Sequence, residues 1–228
     1  MKKLIFLFFI LIVLNTFGQK AKDNTFVINL GGPAVKIPAP TKQFIEAGPK
    51  QRAYFSSFEP LTISMHCVFI DTADYRKIVI EKNDTIVPDK YFLVESIKKH
   101  ETSNCTLKEF EEIRKGVTEL LTKDMTRIID TVGYIVKQPS DLIRDVNLER
   151  PNSIGCIYDT KDACGILQLS IFKYEYKTRR MMRTLNYILI KNRVILLYVN
   201  YLYDGTESIK QIIRLSKNWT KAIIEKNN

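Results

Sequence analysis

The stretch Arg193–Trp219, RVILLYVNYLYDGTESIKQIIRLSKNW, contains the transition that decides the fold. Its first half is apolar at nearly every position and rich in the β-branched and aromatic residues that suit a pleated strand. A strand apolar on both sides must be covered on both, so it is expected at the centre of a sheet. Asp204 and Gly205 then interrupt the run, and the apolar period changes from two to three and four. Ile209, Ile212, Ile213, Trp219 and Ile223 fall on one stripe of a helix that runs to the end of the chain. Such a helix can bury its stripe by lying back across the sheet.

Upstream, GILQLSIFKYEY (165–176) and MMRTLNYILIK (181–191) read as two further long strands. The short tips KTRR (177–180) and KN (191–192) connect the three as an antiparallel meander. TFVINL (25–30), AVKIPAP (34–40), LTISMHCVFID (61–71) and KYFLVESIK (90–98) supply more strands, with Ile63, Met65, Cys67 and Phe69 on one face of the third. A short helix covers 49–59, and 72–89 follows neither period. Thr106 and Glu109 form a capping box, and apolar residues from Leu107 to Leu121 recur at three and four, which predicts one helix from Thr106 to about Ile129. Gly133, Pro139 and Pro151 predict a looser segment after it. The fold class is therefore α+β: helices packed on a twisted antiparallel sheet, in a single domain over 19–228.

The N-terminus gives the compartment. Lys2 and Lys3, an apolar run from Leu4 to Leu14 and a small-residue zone ending at Gly18 have the order of a secretory signal peptide, residues 1–18. A membrane-spanning helix needs about 20 apolar residues, more than this run offers, so no stable membrane insertion is expected once it is cleaved. The expected location is periplasmic or secreted, and the Gly-Gln end of the signal resembles exported proteins of the Bacteroidetes. Cysteines outside the cytoplasm oxidise, so four of them point to disulfides. In GCIYDTKDACG, Cys156 and Cys164 flank a polar turn and would face each other across a hairpin, which favours that pairing. Cys67 and Cys105 then form either a second bridge or two buried thiols.

The formal net charge is +10, and losing Lys2 and Lys3 leaves +8. A protein partner fits that balance, an acidic one included, and export excludes nucleic acid. Residue patterns for catalysis are missing: there is no GxSxG, HExxH, phosphate-binding loop or CxxC, and His66 and His100 have no metal-ligand spacing. Neither catalytic residues, a metal nor a cofactor is expected. The run KYEYKTRRMMR instead gathers Lys173, Tyr174, Tyr176, Lys177, Arg179, Arg180 and Arg183 about a hairpin tip. Arginine with tyrosine suits a recognition surface, and the same cations would equally keep an exposed edge soluble.

The order of meander strands and closing helix, with RVILLYVNYLY running into DGTESIKQIIRLSKNW and with Trp219 and Asn227 near its end, resembles the Mog1/PsbP-like fold. That resemblance implies binding or scaffolding more than catalysis. The expectation is a non-enzymatic exported binding protein of adaptor or toxin-inhibitor type. The alternative is an envelope glycan hydrolase acting through a carboxylate pair.

Overall fold

The computed structural model describes residues 24–82, 88–137, 152–174 and 177–228, with side chains omitted over 171–178. The segment 1–18 expected to be a signal peptide, together with Pro139, Pro151 and Tyr176, lies outside the described residues. In chain order the elements are β1 (Thr25–Ile28), β2 (Val35–Pro38), β3 (Phe44–Glu46), α1 (Gly48–Ser56), β4 (Ile63–Asp71), α2 (Thr72–Tyr75) and β5 (Lys90–Ile97). There follow α3 (Leu107–Thr118), α4 (Met125–Lys137), β6 (Asn152–Asp159), β7 (Ala163–Tyr174), β8 (Lys177–Ile190), β9 (Arg193–Leu202) and α5 (Thr206–Asn227). Seven strands form one antiparallel sheet in the order β3-β4-β5-β9-β8-β7-β6, and β1 and β2 pair separately. The class is α+β, as the periodicities require.

β9 is fourth of the seven, the central place its apolar faces demand. It leaves β8 through Lys191 and Asn192, both with positive φ, the backbone of a two-residue hairpin turn that follows strand twist. On the first face of the sheet α5 buries Ile209, Ile212, Trp219 and Ile223 against Phe92, Leu197, Val199 and Met182. Trp219 sets its ring edge-on to Phe92 and Phe69, with centroids 5.2 and 5.9 Å away, and donates its indole N–H to the Pro38 carbonyl at 2.8 Å. Asn227 then pairs with the backbone of Lys36 in both directions, at 2.7 and 2.8 Å, so the helix end holds the β1–β2 hairpin. On the second face a smaller cluster forms: Val68, Ile70, Tyr91, Leu93 and Met181 under Ala47, Phe55, Tyr75 and Ile78.

Several expectations need correction. The predicted helix over 106–129 is two helices, with the Thr106–Glu109 capping box opening only the first. Asp124 starts the second by accepting from the Thr126 and Arg127 amides, and Leu120, assigned to the buried stripe, is 97% exposed in the break. Gly133 sits inside α4. The shared face of Ile63, Met65, Cys67 and Phe69 is divided by a bulge between Met65 and Cys67: Cys67 and Phe69 enter the first cluster and Met65 the second. Segment 72–80, without a period in the sequence, is a helical turn capped by Asp71 that widens into a π-turn over Arg76–Ile80.

The cysteine staple is also corrected, since all four cysteines are free thiols. Bulges in the β6–β7 ladder place Cys156 opposite Ile166 and Cys164 opposite Asp159, so the two do not face each other. Cys67 is in the main core, whereas Cys105 is tied to the β8–β9 turn through the Asn192 carbonyl. Burial pushes the pKa of each thiol up, that of Cys164 to about 12, and none is a ready thiolate. The glycines of that stretch carry its structure. A Cβ on Gly155 would lie 2.4 Å from the Ile128 side chain, and one on Gly165 2.5 Å from the Tyr158 ring and 2.7 Å from Asn186 Oδ1.

Candidate functional site

β8 begins at Lys177, so KTRR belongs to the strand and its residues alternate between faces. Arg179, Met181 and Arg183 point to the second face, Arg180 and Met182 to the first. The basic cluster of the sequence is thereby divided. Arg179 forms an ion pair with Asp89 ahead of β5. Arg183 reaches inward: its Nε donates to Asn200 Oδ1 at 2.9 Å, and its guanidinium lies 5.1 Å from the centre of the Tyr198 ring. Arg180 is half-buried, with Nε enclosed and lacking a hydrogen-bond partner among the described residues. The side chains of Lys173, Tyr174 and Lys177 are outside the described part.

Arg183 faces a residue that sequence reasoning passed over. Glu95 occupies the same sheet face on β5, diagonal to Tyr198, because Leu93 is the residue paired with Tyr198 and Leu196 the one paired with Glu95. Glu95 is 0% exposed, and neither carboxylate oxygen meets a donor in hydrogen-bonding geometry among the described residues. Burial pushes it up to about 8; Glu59 pushes the same way, while Arg183 and the Tyr198 hydroxyl pull it back. Burial likewise raises Tyr198. Asn200, 2% exposed, spends its oxygen on Arg183 and leaves Nδ2 without a partner among the described residues. This is a protonated acid, an arginine, a tyrosine and an amide enclosed together, with polar valences unused. The signal was a lone acidic residue inside KYFLVESIK, an otherwise apolar strand.

The edge of this cluster carries exposed aromatic surface. α1 sets Phe55 against Tyr91, centroids 5.0 Å apart. Tyr54 of α1 meets Phe58, in the turn that follows the helix, edge-to-face at 5.1 Å, and Phe58 is 68% exposed. Leu61, 90% exposed, follows. Glu59, between them in sequence, is the residue that acts on Glu95 and Tyr198, which sets the loop beside the buried cluster.

His66, at the β4 bulge, belongs to a third group. Ser96 Oγ donates to Glu101 at 2.6 Å and lies 2.7 Å from His66 Nε2. With the serine proton given to Glu101, His66 must donate through Nε2, so it cannot take a proton from Ser96. The order is the reverse of a hydrolase relay. Burial lowers the histidine's affinity for a proton, against the pull of Glu101. Hydrogen bonds from Ser64 and Ser96 outweigh the burial of Glu101 and hold its carboxyl below the usual range. Among the described residues no three His, Cys, Asp or Glu side chains are grouped to hold a metal ion, and no helix is long and apolar enough to cross a membrane.

A different feature lies on the first-face side, between α4 and α5. Met125 and Ile129 of α4 and Ile213 of α5 line a cavity of about 310 Å³, and Lys210, Arg214 and Lys217 stand along it.

No family model matches the chain, and no curated protein matches it in sequence. Among solved structures, the Ran-binding protein Mog1p of Saccharomyces cerevisiae aligns over 90% of each chain with a TM-score of 0.30 and 11% identity. Functional assignment therefore rests on this chain's own residues.

Proposed function

We propose that this chain is a non-enzymatic exported protein that binds a macromolecular partner, as an adaptor or inhibitor does. The supporting observation is the exposed Tyr54–Phe58 pair with Leu61, whose intervening Glu59 lies near enough to act on Glu95 and Tyr198. Clustered exposed aromatic and aliphatic area is the composition of a protein-binding hot spot. Against catalysis stands the closure of the polar groups: Ser96 is committed to Glu101, and Glu95, the acid held protonated near neutrality, is sealed from solvent. Export rests on the residue order of 1–18, which intact-mass measurement of protein from the periplasmic or culture fraction would test.

The binding reading is tested by affinity capture from the envelope fraction with the full mature chain and with a Tyr54→Ser/Phe58→Ser double variant. A partner retained by the first and lost from the second is the expected result. Identical captures would remove the aromatic surface from function. Release of sugar ends from purified envelope glycan, lost in Glu95→Gln, would instead establish the hydrolase.

A further inference from the structure

The exposed side of α5 carries Lys210, Arg214, Lys217 and Lys221 at spacings of four, three and four, which places all four on one line along the helix. At 1.5 Å per residue the line is about 16 Å long. Lys210 and Lys221 have local carboxylates, Glu207 at 2.6 Å and Glu225 at 3.6 Å, while Arg214 and Lys217 meet none among the described residues. These two, with Lys210, border the α4–α5 groove, whose floor is Met125, Ile129 and Ile213. The groove thus joins an apolar floor to a one-sided cationic rim, and no acidic residue among the described ones lines it.

We propose that this groove is a docking site for an acidic amphipathic helix presented by a partner protein. It is independent of the Tyr54–Phe58 surface, which belongs to the other face of the sheet. A single carboxylate, such as a fatty acid would bring, engages one or two cations and leaves the rest of a 16 Å line unmatched. A polyanionic glycan matches the line but has no side chains for the floor. A flat anionic bilayer meets the lysines but does not descend between two helices. A third helix does all of this, laying apolar residues at i, i+3 and i+4 into the groove while aspartates or glutamates on its flank face Arg214 and Lys217.

The test uses the full mature chain against a displayed library of random 16-residue peptides, followed by fluorescence anisotropy on synthetic copies of the enriched sequences. Enrichment of Asp and Glu flanking an apolar i, i+4 pattern is expected. Affinity should fall more than tenfold in Arg214→Glu/Lys217→Glu and should weaken with salt. A second variant, Met125→Glu, changes the floor without touching the rim and should also weaken binding. Circular dichroism melts of both variants verify folding, which their exposed or half-exposed positions preserve. The proposal is overturned by enrichment without acidic residues, by no enrichment over a blank surface, or by unchanged affinity in folded Arg214→Glu/Lys217→Glu. It is overturned equally if phosphatidylglycerol vesicles bind the wild type and lose that binding in the same variant while peptides do not, which would make the line a lipid contact.

Discussion

Asn186 and Glu95 are buried to the same degree on opposite faces of one sheet, yet every side-chain polar atom of Asn186 is hydrogen-bonded, whereas neither oxygen of Glu95 meets a donor in hydrogen-bonding geometry among the described residues. Asn186 Oδ1 accepts from Tyr158 at 2.7 Å and Ser216 at 2.6 Å, and Nδ2 donates to the Leu197 carbonyl at 2.9 Å. Tyr158 reaches on to Thr220 at 2.9 Å, so this network fixes α5 over β8 and β6. A satisfied cluster of this kind specifies a fold. An unsatisfied one is strain that the rest of the fold must offset, and such residues gather where a molecule does its work.

The largest effects should come from the first face. Trp219→Ala would empty the centre of the main cluster and free the Pro38 carbonyl. It is expected to cost about 3–5 kcal/mol in denaturant unfolding. Asn186→Ala is expected to follow at roughly 2–4 kcal/mol, because the Tyr158 and Ser216 hydroxyls lose their common acceptor inside the core. A loss under about 1 kcal/mol for either would mean that this face is less fixed than its contacts imply.

Glu95 should behave in the opposite sense. The unfolded chain releases this proton near the usual glutamate value, the folded chain near 8. Between those values the unfolded state binds fewer protons, so stability must fall as pH rises, by up to about 1.4 kcal/mol per unit from this group. Glu95→Gln should leave stability at pH 5 little changed, raise it at pH 8 and flatten the profile between. A profile equally steep in the variant would show that Glu95 is ionised in the fold and paired after all.

How much of this was legible in the sequence follows from what each residue depends on. β9 and α5 were legible because long apolar runs report burial directly. The helix break at Asp124 could have been found, since TKDM carries a second capping residue, but the apolar spacing of Leu120 and Leu121 concealed it. The bulge at His66 could not, because an inserted residue leaves alternation intact on both sides and only the partner strand reveals the shift. In GCIYDTKDACG the cysteines drew the eye, whereas Gly155 and Gly165 hold the structure, pressed against Ile128, Tyr158 and Asn186. The arginines of KTRRMMR were visible as charge. Their division between faces depended on where the strand begins.

The smallest effects separate two arginines that share the second face, four residues apart. Arg179 pairs with Asp89 at the rim, where the carboxylate is more than half exposed, and Arg179→Ala should cost about 0.2–1 kcal/mol at any pH from 5 to 8. Arg183 lies against the Tyr198 ring, on the far side of β9 from Glu95, and pulls the buried carboxyl down. Without it the Glu95 proton is held still more tightly, so in Arg183→Ala the fall of stability with pH should continue above 8, where the wild-type profile levels. Combining Arg183→Ala with Glu95→Gln should remove that extension, whereas combining Arg179→Ala with Glu95→Gln should simply add. Additivity in both pairs would mean that Arg183 and Glu95 do not sense each other, and the second face would then be merely polar.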